Sequence, residues 1–125
     1  MILVPTVAIT SSKISWCGHT MVLKQDGSVW SAGDNTVGQL GDGSTTRRKT
    51  YVEVVSSGVT AVAAGDLYSM VLKQDGSVWT TGSNKHGILG DGSQTDRHSF
   101  VKVRVSLRLR LRLRLRLRPR LRVTN

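Results

Sequence analysis

The nine residues VLKQDGSVW occur twice in this 125-residue chain, first as Val22–Trp30 and again as Val71–Trp79. Shifting the chain by 49 residues lays Met21–Val54 over Met70–Val103, and 22 of the 34 superposed positions are identical. Self-similarity at a period near 50 residues is typical of a propeller or a solenoid. The doubled nonapeptide therefore indicates two copies of one supersecondary unit.

Each copy has the pattern of short β-strands joined by turns. Asp26-Gly27 and Asp75-Gly76 lie between short runs that can pair, and we expect each dipeptide to adopt the positive φ angles of a two-residue hairpin turn. The runs TYVEVV, SFVKVRV and GVTAVAAG supply further strands. About four strands per period correspond to one propeller blade.

Glycine-rich loops follow each hairpin, with GQLGDGS in the first copy and GILGDGS in the second. We expect Leu40 and Leu89 to point inward and to anchor these loops. The polar loop residues lack the alternating oxygen ligands and closing Glu of a calcium loop, so turn formation is the better interpretation. These residues are Asp34, Asn35, Asp42, Asn84 and Asp91.

The first copy reads HTMVLKQDGSVW followed by GQLGDG, and the second copy has GILGDG in the same place. This order of motifs resembles the repeats of the regulator of chromosome condensation family. The similarity covers about 14–105. His19 occupies the family's His position, whereas Tyr68 replaces it in the second copy. The family folds as a seven-bladed propeller and includes a nucleotide exchange factor for a small nuclear GTPase, which also binds chromatin. The resemblance implies propeller blades, but two blades cannot form that composite surface, so no exchange activity is expected.

We therefore expect an all-β fold with two consecutive four-stranded blades of a partial β-propeller. Residues 14–57 form the first blade repeat and 58–106 the second, while 1–13 can serve as the last strand of a preceding blade. Because repeat units bury their faces on neighbours and a closed ring needs at least about four blades, open blade edges favour self-association. A truncated gene product without independent function is an alternative.

The low-complexity tail, 107–125, carries most of the net charge of +10, because without its eight arginines the chain has 10 basic and 8 acidic residues. Leu and Arg alternate strictly from Leu107 to Arg118, which favours an extended strand, although both residues are good helix formers. The arginines are candidate phosphate ligands that would attach the chain to nucleic acid or anionic lipid without reading sequence. A translated six-nucleotide repeat explains the same pattern without selection. The candidate phosphate-binding residues are Arg108, Arg110, Arg112, Arg114, Arg116, Arg118, Arg120 and Arg122.

Nothing in the sequence predicts catalytic, cofactor-binding or metal-binding residues. Cys17 is the single cysteine, which excludes an internal disulfide and a Cys-based zinc cage and favours an intracellular compartment, cytoplasm or nucleus. His19 is expected to make a structural hydrogen bond inside its blade, and Trp30 and Trp79 to pack between or within blades. The N-terminal stretch MILVPTVAITSSK is predicted to be a strand, with a signal peptide as the weaker alternative. The most favoured function is a non-enzymatic propeller-type module that binds an unidentified protein through its glycine-rich loops.

Overall fold

The computed structural model describes residues 8–11, for which the backbone alone is described, and residues 18–105. Within these ranges all regular structure is β-strand. The strands are β1 (Ala8–Ser11), β2 (His19–Leu23), β3 (Val29–Gly33), β4 (Arg48–Val55), β5 (Val59–Ala64), β6 (Tyr68–Lys73), β7 (Val78–Gly82) and β8 (Arg97–Lys102).

The strands form two four-stranded antiparallel sheets, ordered β1-β2-β3-β4 and β5-β6-β7-β8. Each sheet is one blade of a partial β-propeller, as the sequence predicted. The registers repeat at the 49-residue offset, since Val22 pairs with Trp30 and Val71 pairs with Trp79. The doubled nonapeptide is therefore the central hairpin of each blade.

The N-terminal strand corrects one expectation. Ala8–Ser11 pairs with β2 as the first strand of the first blade, with Ile9 opposite Val22, rather than closing a preceding blade. The 49-residue offset hides this role because seven residues separate β1 from β2, whereas three separate β5 from β6. Equivalent strands therefore start at different distances from the hairpins.

The hairpin turns also differ from the expected two-residue form. Gly27 N donates to Lys24 O at 2.9 Å, and Lys24 N donates to Ser28 O at 2.9 Å. Gly27 has a φ of 83°, whereas no non-glycine residue in the described ranges has a positive φ. These bonds define a three-residue loop whose last residue is a left-handed glycine. A type I′ turn would also require a positive φ at Asp26, whereas this loop requires it only at Gly27.

The hydrophobic core lies between the two blades. Met21 and Val29 from the first blade contact Val59 and Val71 from the second, and all four side chains are buried. Fully burying a side chain of this size stabilises the fold by at most about 1.5–3 kcal/mol. The two sheets are therefore joined by a face-to-face apolar contact and not through a shared strand.

The chain leaves strand β8 at Lys102, three residues before the predicted end of that run. Val103 N still donates to Val78 O at 2.9 Å. The Leu-Arg tail, including every candidate phosphate-binding arginine, lies outside the described residues, as do Trp16 and Cys17.

Candidate protein-interaction loops

The first glycine-rich loop is organised around the amide of Asn35, which is fully buried. Its Nδ2 atom donates to Asp42 Oδ1, Ser44 O and Thr46 O, each at 3.0 Å. Its Oδ1 atom accepts from Leu40 N at 3.0 Å. One side chain thus fixes both arms of the loop, and the buried Leu40 anchors its tip as expected.

The second loop repeats this arrangement around Asn84, which is also fully buried. Asn84 Nδ2 donates to Asp91 Oδ1 at 3.2 Å and to Thr95 O at 3.0 Å, and Leu89 N donates to Asn84 Oδ1 at 3.0 Å. In both loops the polar side chains therefore hold the loop backbone through hydrogen bonds. In the described part of the chain, no cluster of three or more His, Cys, Asp or Glu could hold a metal ion.

An ion pair closes the base of each loop. Arg48 Nε lies 2.9 Å from Asp42 Oδ2, and Arg97 Nε lies 2.7 Å from Asp91 Oδ2. Burial raises the pKa of Asp91, but hydrogen bonds from Ser93, Arg97 and Asn84 outweigh it and hold that pKa well below its usual range. The carboxylates therefore act as fixed acceptors and not as proton donors near neutral pH.

The nonapeptide forms a short chain of side-chain contacts in each blade. Ser77 Oγ donates to Asp75 Oδ1 at 2.6 Å and accepts from Trp79 Nε1 at 2.8 Å. Lys73 Nζ lies 4.0 Å from the centroid of the Trp79 ring, within the range of a cation–π contact. The first blade repeats these contacts, with Lys24 Nζ 4.1 Å from the Trp30 ring. The tryptophans therefore have a structural role inside each blade.

The first glycine-rich loop lies across the second blade. Gly43 N donates to His98 O at 2.8 Å, and Thr81 Oγ1 donates to Gly38 O at 2.8 Å. A Cβ atom at Gly41 would collide with the ring of Phe100. The glycines therefore allow the loop backbone to lie directly on the strands of its neighbour.

A buried hydrogen-bond chain completes this contact. Ser69 Oγ donates to Gln39 O at 2.6 Å and lies 2.7 Å from His19 Nε2. Because the Ser69 hydrogen is used on Gln39, His19 Nε2 is the donor in the second bond. His19 therefore bonds to the neighbouring blade and not inside its own blade as expected.

The environment of His19 favours its neutral form. Burial lowers the pKa of His19, while the carboxylates of Asp34 and Asp66 oppose that effect without reversing it. Among the described residues its buried Nδ1 atom has no hydrogen-bond partner. The Ser69 hydroxyl bonded to His19 is fully buried and donates its hydrogen to Gln39 O, so the pair forms a structural contact between the blades.

Ser69 and Thr81, the polar residues of the blade contact, were not predicted from the sequence. Both are polar residues within mainly apolar strands, and this pattern is visible in the sequence. The structure shows that both are fully buried. Their acceptors lie 30 and 43 residues away in the first loop, so no local spacing relates donor to acceptor.

The second loop, in contrast, presents exposed side chains. Lys85, His86, Ile88 and Gln94 are all exposed around it, although its Asn84 scaffold is buried. The second loop therefore has the same scaffold as the first and presents these side chains to solvent, while Val103 and Arg104 lie against its Gly90 and Gly92. No helix in the described ranges is long and apolar enough to cross a membrane.

Comparison with known proteins gives matches to repeat profiles and to solved structures. Two profiles, both described as the Regulator of chromosome condensation (RCC1) repeat, match residues 26–72 and 59–88, and together they span half of the chain. No curated protein sequence matches the chain.

Three solved structures illustrate the similarity of fold. Human WBSCR16 is 27% identical with a TM-score of 0.60, over 67% of this chain and 23% of that one. Prp20p from Saccharomyces cerevisiae is 19% identical with a TM-score of 0.58, over 70% and 24%. Yeast RCC1 (Prp20) bound to Kap60 is 16% identical with a TM-score of 0.61, over 70% and 23%. The chain thus spans about a quarter of the length of these structures.

Proposed function

Because the chain belongs to the regulator of chromosome condensation (RCC1) repeat family, we propose that it is a non-enzymatic protein-interaction module that binds partners through its glycine-rich loops. The observation that carries this proposal is the first loop, which already contacts a protein surface. Gly38, Gly41 and Gly43 lie on the strands of the second blade with backbone hydrogen bonds and close packing. The same loop type with free side chains is suited to an external protein.

Two features of the second loop support this role. Its backbone is held by the buried Asn84 amide, so little conformational entropy is lost when it binds. Its exposed side chains offer a cation, an imidazole, an apolar group and an amide, namely Lys85, His86, Ile88 and Gln94. Prp20p, which is similar in fold, is described by its binding properties to Gsp1p and histones, and this favours protein partners in general.

The experiment is affinity capture with the full chain, followed by measurement of each captured partner in purified form by biolayer interferometry. The test variant replaces the exposed loop residues Lys85, His86 and Gln94 with alanine. We expect it to lose binding of at least one purified partner by tenfold or more, or about 1.4 kcal/mol. The matched control replaces Glu53 and Lys102, which are exposed on β4 and β8, with alanine and should bind as the parent does.

Two results would contradict the proposal. Equal binding by the loop variant and the control would show that the exposed residues of the second loop do not contribute to the interface. A turnover reaction by the purified chain, lost on substitution of a described residue, would contradict the non-enzymatic assignment.

The Leu-Arg run supports a second candidate function, attachment to polyanions. Eight arginines between Arg108 and Arg122 would bind phosphate groups through charge alone, with affinity that falls steeply as salt rises. Fluorescence anisotropy with a duplex of random sequence, and co-sedimentation with phosphatidylserine vesicles, should both be measured across a salt series. Binding that survives deletion of 107–125, or that ignores salt, would contradict this candidate.

A further inference from the structure

The contact between the two blades has two complementary sides. The first blade contributes a loop face, made of Met21, Leu23 and the loop 38–43. The second blade contributes a receiving face that includes Ser69, Thr81, His98 and Phe100, and these residues contact that loop. Since both blades are copies of one repeat, each also has the side that the internal contact does not use.

The exposed apolar side chains mark those unused sides. Four large hydrophobic side chains are exposed in the described ranges, with exposed fractions between 36% and 51%. At the 49-residue offset, three of them match loop-face positions of the first blade and one matches the receiving-face Phe100. In the internal contact, Met21 and Gln39 are fully buried, and Leu23 and Phe100 pack against the core. The pairs are Met70 with Met21, Leu72 with Leu23, Ile88 with Gln39, and Tyr51 with Phe100.

Among the residues that the structure describes, none fills the receiving face of the first blade. A depression of about 470 Å³ lies at the start of β2 and along β4, within the size range of binding clefts. Every residue that lines it corresponds, at the repeat offset, to a residue of the second blade in or beside the filled receiving face. The central pairs are Thr20 with Ser69, Ala32 with Thr81, Lys49 with His98, and Tyr51 with Phe100.

The unused loop face lies on the second blade. A Cβ atom at Gly38 would collide with His98, whereas at the corresponding Gly87 the nearest atom is Ser93 O at 3.7 Å. The corresponding loop 87–92 keeps the sequence Gly-x-Leu-Gly-Asp-Gly and the same Asn scaffold. In the described part of the chain, the loop is open at Gly87 and Ile88. Val103 and Arg104 of the same chain lie against Gly90 and Gly92, and Arg104 N donates to Gly90 O at 2.7 Å.

We propose that copies of the chain assemble head to tail, with Gly87 and Ile88 of one copy docking into the depression lined by Thr20, Ala32 and Lys49 of the next. This inference rests on the proposed interaction role and names a second copy as the partner. The close approach of Gly38 to His98 in the internal contact has a counterpart here, since Gly87 corresponds to Gly38 and Lys49 to His98 at the repeat offset.

At least three side-chain contacts change in this assembly, and one is the hydrogen bond of His19 to Ser69, whose counterparts are Tyr68 and Thr20. Ala32 cannot donate the hydrogen bond that Thr81 makes to Gly38, and Ile88 replaces Gln39 at the buried position. The contact between copies is therefore more apolar than the internal one. Met70, Leu72 and Ile88 supply its apolar surface, and their burial drives association.

A head-to-tail contact of this kind is heterologous, so it closes into a ring when the rotation per copy allows it. Propellers hold about four to eight blades, so rings of about two to four copies are expected from two blades each. The occupant is a copy of the chain and not a small ligand, since both sides of the contact are present on every copy.

The test measures the mass of the full chain by multi-angle light scattering and sedimentation velocity. Measurements near 1 M salt, where the Debye length is about 3 Å, suppress association through the arginines of 107–125. We expect a discrete oligomer that Ile88→Asp and Tyr51→Asp each reduce to the monomer mass. Both sites are exposed in the single chain, so circular dichroism should show unchanged folding.

Conservative variants separate docking from general surface effects. Ile88→Gln and Tyr51→Phe restore the residue types of the internal contact, so both should retain the oligomer. Thr45→Asp adds the same charge at an exposed site outside both faces and should also retain it. Mixing Ile88→Asp with Tyr51→Asp leaves one intact contact per pair, so a mass of two copies is expected.

The inference is overturned by a wild-type chain that stays monomeric at all concentrations, by an oligomer that neither aspartate variant affects, or by a mixture whose mass exceeds that of two copies. A monomeric chain that still binds a purified partner through Lys85, His86 and Gln94 would overturn self-assembly and leave the interaction role standing. An intact oligomer, together with equal partner binding by the loop variant and its control, would overturn the interaction role and leave self-assembly standing.

Discussion

The hydroxyl of Ser69 joins two separate segments of the first blade, since it accepts from His19 Nε2 at 2.7 Å and donates to Gln39 O at 2.6 Å. All three residues are buried. The apolar core between the blades is small, so this pair of hydrogen bonds fixes the relative position of the blades in a way that apolar contact alone does not.

Replacing Ser69 with alanine should weaken the contact between the blades. The substitution leaves His19 Nε2 and Gln39 O buried without their partner, at a cost of about 2–3 kcal/mol in the free energy of unfolding. Urea denaturation followed by circular dichroism measures this change. Thr60→Ala is the control, because Thr60 is exposed and makes one hydrogen bond of 3.3 Å to Leu72 O. Equal losses in the two variants would contradict the role of Ser69.

Stability should fall as the pH drops below about 6.5, the ordinary pKa of histidine. Burial lowers the pKa of His19 in the folded chain, so the unfolded chain binds a proton that the folded chain does not. The free energy of unfolding then decreases with falling pH until the lowered pKa is reached. The aspartates with lowered pKa values, such as Asp42, lose their contribution only below about pH 4, so the two effects separate.

Thermal unfolding of the parent chain and of His19→Gln, between about pH 7.5 and 5, tests this expectation. The glutamine variant should be less stable overall but should show a flatter dependence of Tm on pH. An unchanged slope would assign the pH dependence to other groups.

Replacing Asn84 with alanine should destabilise the chain by about 2–4 kcal/mol, because a fully buried amide that holds both arms of its loop is removed. Asn84→Asp keeps the acceptor for Leu89 N but sets a carboxylate against Asp91, so it should be no more stable than the alanine variant. Lys85→Ala, at the exposed neighbouring position, should change the free energy of unfolding by less than about 0.5 kcal/mol. Chemical denaturation of the three variants provides the comparison.

Alanine at two glycines with the same backbone geometry should have unequal costs. Gly41 and Gly76 have φ angles of 78° and 83°, so alanine is strained by about 1–2 kcal/mol at either site. No atom lies within 4 Å of a Cβ at Gly76, whereas a Cβ at Gly41 meets the Phe100 ring. Gly41→Ala should therefore cost about 1–3 kcal/mol more than Gly76→Ala in the same denaturation experiment. Equal costs would mean that the loop can lift from the second blade freely.

The periodicity of the sequence was sufficient to predict the fold, because a 49-residue repeat with identical hairpins leaves few architectures open. It also predicted the anchoring Leu40 and Leu89 and the structural use of the loop aspartates. It did not predict that Ala8–Ser11 starts the first blade, because the connection to β2 is longer than its counterpart and carries no repeated residues.

The contact between the blades was less accessible to sequence analysis. His19 was expected to bond within its blade, and the pairing with Ser69 depends on how one sheet lies on another. The same limit applies to Tyr51 and Ile88, since their importance becomes visible only when each is compared with its buried counterpart, Phe100 and Gln39.

The contacts among the lysine, tryptophan, serine and aspartate side chains of each nonapeptide are local, whereas Val29 and Val71 pack between the blades. Lysine, tryptophan, serine and aspartate of each copy contact one another within a few residues, so each hairpin can form before either blade has found its neighbour. Because the two copies are identical over this stretch, neither has a kinetic advantage from its own sequence. The order of folding is then set by docking across the sheets, and exchange of one hairpin for the other is the characteristic misfolding route for this chain.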